Sequence, residues 1–354
     1  MTGSTEPRFL EVPPPVGPRS GEVLCRTLQL GVCGTDRTIL ETAAPLTPPG
    51  DDYLILGHEC LARVEAVGQG VEGLCRGDLV IPRVRRPLGP SARRVDLLPY
   101  DACTERGIAR EHGFSTPFWV DRPEYLHKVP QAIEPVAVLA EPMSVAEKGI
   151  NEATAAQAAR LGEQAWRDAP PRVLVTGMGP IAFAAIVACR ARHWPVVQMG
   201  REEATGFRAE LAQALGAGYL QADALEKEPQ EVEAEGFDLV LECTGSAQVM
   251  VDVAQLLASC GILVWLGSTR RPRPETLEVE RLMRLGVIRN HLHIGSVNAA
   301  PRDFAHAIRD LQRLWDSHAG QLQSLITARI APADALWHYR HRPPQSIKTV
   351  LVFE

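Results

Sequence analysis

Apolar and polar positions keep a short period in the first third of the chain and a longer one beyond it. Residues 21–31 alternate, residues 54–67 form two apolar runs around the polar Gly57-His58-Glu59, and Gly77-Asp78 turns into the apolar Leu79-Val80-Ile81. A period of two puts successive side chains on opposite faces of a strand, so this part predicts short strands joined by turns. Proline-punctuated loops at 13–18 and 45–50 agree with that. From about 134 to 167 the pattern becomes helical and Ala-rich, and Pro170-Pro171 is expected to end it. Strand-like runs at 172–176, 195–199, 237–242 and 261–266 then alternate with helical runs at 181–191, 207–215 and 247–258. Such alternation implies βαβ crossovers and an α/β, doubly wound parallel sheet. The last segment holds a helix at 303–315 and a closing strand at 348–353, and is read as returning to complete the first domain. The expected domains are therefore a β-rich one at 1–170, completed by 303–354, and an α/β one at 171–302.

At 354 residues the chain exceeds the ~250–300 at which one hydrophobic core stops growing, which supports two domains. Its 45% hydrophobic and 23% charged composition is that of a globular protein. A formal net charge of -6 gives no electrostatic reason to expect nucleic acid or an anionic membrane as partner. The first 18 residues lack the basic start and apolar run of a secretory signal, and no apolar stretch of membrane-spanning length follows, so a cytoplasmic location is expected. Eight cysteines without a C-x-x-C pair do not resemble a disulfide framework, and most are expected to be packed thiols.

The run 172–176 leads into Gly177-Met178-Gly179-Pro180-Ile181-Ala182, a G-x-G-x-x-A fingerprint opening a helix. The first Gly permits a tight turn, the second lets backbone approach a pyrophosphate, and Ala182 allows close helix packing. The helix start adds free N–H groups and a favourable dipole. Cofactor choice depends on the end of the second strand, here Met199-Gly200-Arg201. An arginine there favours NADP, whereas Glu202 and Glu203 either repel a 2′-phosphate or point to solvent. NADP is preferred over NAD on this reading.

Cys33-Gly34-Thr35-Asp36 follows a strand, and His58 stands in the downstream Gly57-His58-Glu59. A catalytic zinc needs about three N, S or carboxylate ligands and an open position for a substrate oxygen. Cys33, His58 and a carboxylate satisfy this, and Thr35 is a candidate proton relay for a substrate hydroxyl whose carbon passes hydride to nicotinamide. Singly, Cys33 fits a core thiol and His58 a satisfied histidine. It is their combination with a dinucleotide loop that points to chemistry.

Gly31-Val-Cys-Gly-Thr-Asp36, Leu56-Gly-His-Glu59, Gly77-Asp-Leu-Val80 and Val173-Leu-Val-Thr-Gly-Met-Gly-Pro-Ile181 stand in the order found in medium-chain dehydrogenases. Glu105-Arg-Gly-Ile108, His112-Gly-Phe114, Tyr125-Leu-His-Lys-Val-Pro130, Leu139-Ala-Glu-Pro142, Glu147-Lys148, Gly295-Ser-Val-Asn298 and Ile347-Lys348 extend the likeness to the archaeal-type glucose 1-dehydrogenase branch. The resemblance implies a GroES-like catalytic domain made from both chain ends and a Rossmann domain between them. It implies Cys33, His58 and Glu141 as metal ligands, with Glu59 as a nearby carboxylate able to ligate. Thr35, Glu105, Glu141 and Asn298 match sugar-contacting positions. Gly200, Arg201, Thr244, the segment from Ser296 to Asn298 and Arg342 match positions near the cofactor, Arg342 within a run that reads equally as solvated charge.

The departures are informative. Many relatives carry a structural zinc on a lobe with four cysteines, but residues 85–103 keep only Cys103. One catalytic zinc and no structural zinc are expected. Val84 before Arg85-Arg86, and Val145, stand where the branch tends to have Asn and Asp, each removing a potential hydrogen bond to a hydroxyl and leaving another aldose, a polyol or a less hydroxylated secondary alcohol open as substrate. A homo-oligomer, dimer or tetramer, is the expected assembly. The competing readings are a zinc-free quinone-type reductase and a non-catalytic dinucleotide-binding protein on the same fold.

Overall fold

The alternating residues of the first third form an antiparallel sheet whose central strand is Val23–Val32, with buried and half-buried side chains in turn over its first six residues. The computed structural model describes residues 6–41, 45–90, 93–224, 236–268 and 276–353. Val23–Val32 pairs with Glu59–Val67 and Phe118–Asp121, and the sheet continues through Leu79–Pro82 to Leu126–Val129. On its other side lies the closing strand Lys348–Val352, with Leu30 opposite Leu351 and Val32 opposite Thr349. The tail therefore returns to the start of the chain. Val23, Cys25, Leu30, Cys60, Val80, Phe114, Trp119 and Leu351 share one core beneath this sheet. They belong to a compact unit comprising Met1–Glu141, Asn298–Gln312 and Ile326–Glu354.

The second unit, Pro142–Val297 with Arg313–Leu325, is built on a six-stranded parallel sheet. Its order is Gly218–Gln221, Val196–Gly200, Val173–Thr176, Phe237–Glu242, Leu257–Trp265, Leu292–Gly295. This is the doubly wound Rossmann order, and strands covered on both faces explain why Val173–Thr176 reads as an unbroken apolar run with every residue buried. Leu174, Met199, Val240 and Leu263 supply its core.

Several boundaries differ from the sequence expectation. The helix after residue 134 starts as 3-10 turns over Gln131–Leu139, continues as Ala140–Leu161, and stops before Pro170. Gly162, at φ +99°, takes the left-handed cap and donates to the Ala158 carbonyl. The helix expected at 247–258 ends at Ala254, and the next strand starts at Leu257 instead of 261. The apolar Leu256-Leu257-Ala258 suits helix or strand, and pairing of Leu257 with Phe237 decides it. The late helix runs over Pro301–Ser324 with non-helical geometry at His318, longer than the expected 303–315. The helices Gly34–Glu41 and Val279–Ile288, and the strands Gly218–Gln221 and Leu292–Gly295, were not legible from periodicity. Among the described residues no helix is long and apolar enough to cross a membrane. All eight cysteines are free thiols.

Candidate active site

Strand pairing brings the two halves of the metal motif together. Cys33 leaves the end of Val23–Val32, and His58 precedes Glu59–Val67, whose Glu59 pairs with Gly31. Ligand atoms of Cys33, His58 and Glu59 lie within 4.8 Å of one another, the one such cluster among the described residues. Gly31 must lack a side chain, because a Cβ there would strike the Glu59 carboxylate. Asp36 is fully buried in the first turn of Gly34–Glu41 and accepts from the Cys33 backbone N–H at 2.8 Å. Its other oxygen is 3.4 Å from Nδ1 of His58. Both of those atoms are buried and have no other hydrogen-bond partner. Holding the ring by its Nδ1 edge leaves Nε2 as the ligand atom, the usual role of a carboxylate behind a metal-binding histidine. The S, N and O donors with this backing carboxylate fit a zinc ion.

Charges around the cluster are tightly balanced. Lys348, 1% exposed, donates to both oxygens of Glu59 at 2.7 and 2.5 Å. Burial opposes its charge, but Glu59 and Cys33 more than offset this and hold the ammonium above its usual range. Burial likewise opposes protonation of His58, yet Asp36 and Cys33 keep its pKa well above normal. Glu141 stands outside the 4.8 Å cluster, but its carboxyl feels His58, Glu59, Lys348 and Asp36. Burial, with Glu59 adding and His58 and Lys348 opposing, pushes it up to about 7. Folding thus favours protonated Glu141 in metal-free protein. That contribution is fully present below about 4.5, the ordinary carboxyl value, and is lost as pH rises through about 7. Chelator-treated protein should lose on the order of 2–3 kcal/mol between pH 5 and 8 in urea unfolding, and Glu141→Gln should flatten that slope. An unaltered slope in the variant would exclude Glu141 as its source.

Two expected sugar contacts meet in the same unit. Glu105 Oε1 accepts from Asn298 Nδ2 at 2.6 Å and from Arg85 Nε and Nη2 at 2.9 and 2.8 Å. Asn298 holds a left-handed φ of +61°, which asparagine tolerates better than most residues. Val84 is buried, and Thr35 is half-buried in the helix that follows Cys33. Arg342 donates from Nε and Nη2 to the Ser346 carbonyl, ordering the loop before the closing strand.

The dinucleotide loop is assembled within the other unit. Gly177, at φ +90°, donates to the Met199 carbonyl at 2.8 Å, and a Cβ on it would press on the Thr244 methyl. Gly179 caps the helix Pro180–Ala191 without a side-chain acceptor, so its first N–H groups stay available; Ile181 is half-buried and Ala182 fully buried in that first turn. Gly200 ends the second strand against Met178 and Tyr219, with Arg201 exposed beyond it. Thr244 donates its backbone N–H to Glu242, and Ser296 donates its own to the Trp265 carbonyl.

Sequence reasoning missed Asp36 as the partner of His58, Lys348 as the partner of Glu59, Arg85 at Glu105, and Arg208 beside the loop. A lysine inside the apolar closing strand was the available signal for Lys348.

Residues 134–353 match the family described as Glucose dehydrogenase C-terminus, and residues 19–131 match the Alcohol dehydrogenase GroES-like domain. The chain is 38% identical over 329 residues to the glucose 1-dehydrogenase of Thermoproteus tenax, covering 92% of this chain and 90% of that protein. It is 37% identical to glucose 1-dehydrogenase 1 of Caldivirga maquilingensis, covering 94% and 92%. The structure of Haloferax mediterranei glucose dehydrogenase in complex with NADP, Zn and gluconolactone superposes with a TM-score of 0.83 at 26% identity, over 100% of this chain and 99% of that one.

Proposed function

The chain belongs to the glucose dehydrogenase branch of the zinc-dependent medium-chain alcohol dehydrogenases, and on that premise we propose that it oxidises a hydroxyl of glucose, another aldose or a polyol. It is an enzyme of zinc-dependent, NAD(P)-linked type. The observation that carries this reading is the Cys33–His58–Glu59 cluster, with Glu141 electrostatically coupled to it. Cys33, His58 and Glu141, with Glu59 as a further donor, would hold a zinc ion, whose Lewis acidity would acidify a substrate hydroxyl so that the carbon bearing it can give hydride to nicotinamide. Asp36 orients His58, Lys348 neutralises Glu59, and Thr35 relays the hydroxyl proton outward by accepting it while donating its own. Glu105, Glu141 and Asn298 fix the sugar, while Gly177, Gly179, Pro180, Ile181, Ala182, Gly200, Arg201, Thr244, Ser296, Asn298 and Arg342 serve the cofactor. The metal-ligand cluster disfavours a zinc-free quinone-type reductase, whose chemistry needs no such donors, and gives a non-catalytic binding protein no use for them.

One zinc per chain is proposed on the Cys33–His58–Glu59 cluster, and no structural zinc on the lone Cys103 of residues 85–103. Exposed Arg201 at the end of the second strand supports NADP over NAD. The catalytic domain is assigned to the unit Met1–Glu141, Asn298–Gln312 and Ile326–Glu354, and the dinucleotide domain to Pro142–Val297 with Arg313–Leu325, in place of the expected breaks at 170 and 303. A homo-oligomer is supported by Val279, Met283 and Val287, exposed at helical spacing next to an edge strand, and light scattering reads it directly. A cytoplasmic location is proposed on the eight unpaired cysteines, which suit a reducing compartment. The deciding experiment combines metal analysis with reduced-cofactor absorbance on a panel of aldoses and polyols, run with NADP and NAD. The expected outcome is about one zinc per chain and turnover of an aldose or polyol, faster with NADP. Bound zinc and cofactor with no turnover of any substrate would sink the enzymatic reading.

A further inference from the structure

The end of the second strand of the parallel sheet carries more charge than the Arg201 that first draws notice. Glu202 follows it, and Oε1 of Glu202 accepts from Arg208 Nε at 2.6 Å and also from Nη2. Arg208 lies on the next helix, Phe207–Ala214, and its Nη1 donates to the carbonyl of Met178, the residue between the two loop glycines, at 3.2 Å. A guanidinium is thus tied directly to the phosphate-binding loop. The turn is held from a third side by Tyr219, whose hydroxyl donates to the Glu202 carbonyl at 2.7 Å. Glu202 Oε2 is buried and has no donor, so the carboxylate is only partly compensated by its arginine. Arg201, in contrast, is exposed.

We propose that the Glu202–Arg208 pair sets cofactor specificity: Glu202 cancels the Arg208 charge that a 2′-phosphate would otherwise use, leaving Arg201 alone to favour NADP. This rests on reading the Gly177 loop as the dinucleotide site. The physical basis is the difference between the two ligands at this strand end. The ribose of NAD presents hydroxyls, which donate to a carboxylate, whereas the 2′-phosphate of NADP is anionic, accepts hydrogen bonds and seeks a guanidinium. A carboxylate bound to that guanidinium therefore withholds both its charge and its donors from NADP. The result is a chain that accepts both cofactors, with a narrower preference for NADP than two free arginines would produce.

Dissociation constants of NADP and NAD, measured by calorimetry on the zinc-loaded protein and its variants, test this without relying on turnover. Glu202→Gln keeps the shape, removes the charge and releases Arg208, so the ratio of NAD to NADP dissociation constants should rise about tenfold or more. Arg208→Met should move the ratio the other way, because Glu202 is then an uncompensated anion. Opposite shifts from the two halves of one ion pair are not what a merely structural pair would produce, since its loss would weaken both cofactors alike. A ratio that stays within about threefold in Glu202→Gln, or equal weakening of both cofactors, overturns the proposal. Should Arg208→Met fail to fold, Glu202→Ala provides the second test, with the same expected direction as Glu202→Gln. Wild-type protein that binds neither dinucleotide would overturn the loop assignment itself and this inference with it, a result distinct from an unchanged ratio.

Discussion

Cys33→Ala is expected to lose zinc and to reduce turnover by about a thousandfold or more, because several kcal/mol of Lewis-acid stabilisation leave with the metal. His58→Ala should do the same. The two residues reach one another only because Val23–Val32 and Glu59–Val67 are neighbours, so neither side chain has a local substitute. Cofactor affinity is the informative control. The Gly177 loop and the helix Pro180–Ala191 belong to the other compact unit, and their hydrogen bonds involve neither Cys33 nor His58. NADP should therefore bind both variants within about threefold of wild type in a calorimetric titration. Zinc analysis, kcat and the titration together separate loss of metal from loss of fold. A zinc-free Cys33→Ala protein that kept wild-type kcat would refute the metal mechanism.

Asp121→Ala should cost the fold about 3–5 kcal/mol, the range seen when one partner of a buried ion pair is removed. Asp121, its side chain 3% exposed, accepts from Arg86 at 2.9 and 2.6 Å and from Arg106 at 3.0 Å. Those guanidiniums cannot simply turn to water. Arg106 lies over the rings of Phe114 and Trp119, and Arg86 over Tyr125, with its centre 4.5 Å from the ring. Burial pushes the pKa of Arg106 below its usual value, as does Arg86 beside it, and Asp121 is the largest opposing influence. The variant would leave two buried cations facing one another. Urea unfolding measures the loss, and a change under about 1 kcal/mol would show that Glu111 or solvent compensates them. This network falls around the chain segment in which many relatives carry a cysteine-rich structural zinc lobe. Charge pairing between arginines and carboxylates here ties the strands Arg85–Pro87, Cys103–Arg106 and Phe118–Asp121 together.

Signals that depend on near neighbours were legible in the sequence. Alternation at 21–31 foretold a strand, the apolar run at 172–176 foretold a buried parallel strand, and Gly177-Met-Gly foretold a tight turn opening a helix. Backbone sterics and periodic burial act within a few residues, so sequence suffices for them. Apolar runs that satisfy two periods were not resolved, and Leu256-Leu257-Ala258 became a strand start only through its pairing with Phe237.

By itself, then, the sequence determined a β-rich part, a doubly wound part, and Cys33 and His58 as metal-binding candidates next to a carboxylate. Only the tertiary structure decided which charge answers which. Glu59 is matched by Lys348, 289 positions away, Glu105 by Arg85, 20 positions away, and Glu202 by Arg208 on the following helix. The reason is that a buried charge must find a partner in space, and spatial neighbourhood across a sheet or between loops follows from strand order rather than from spacing along the chain.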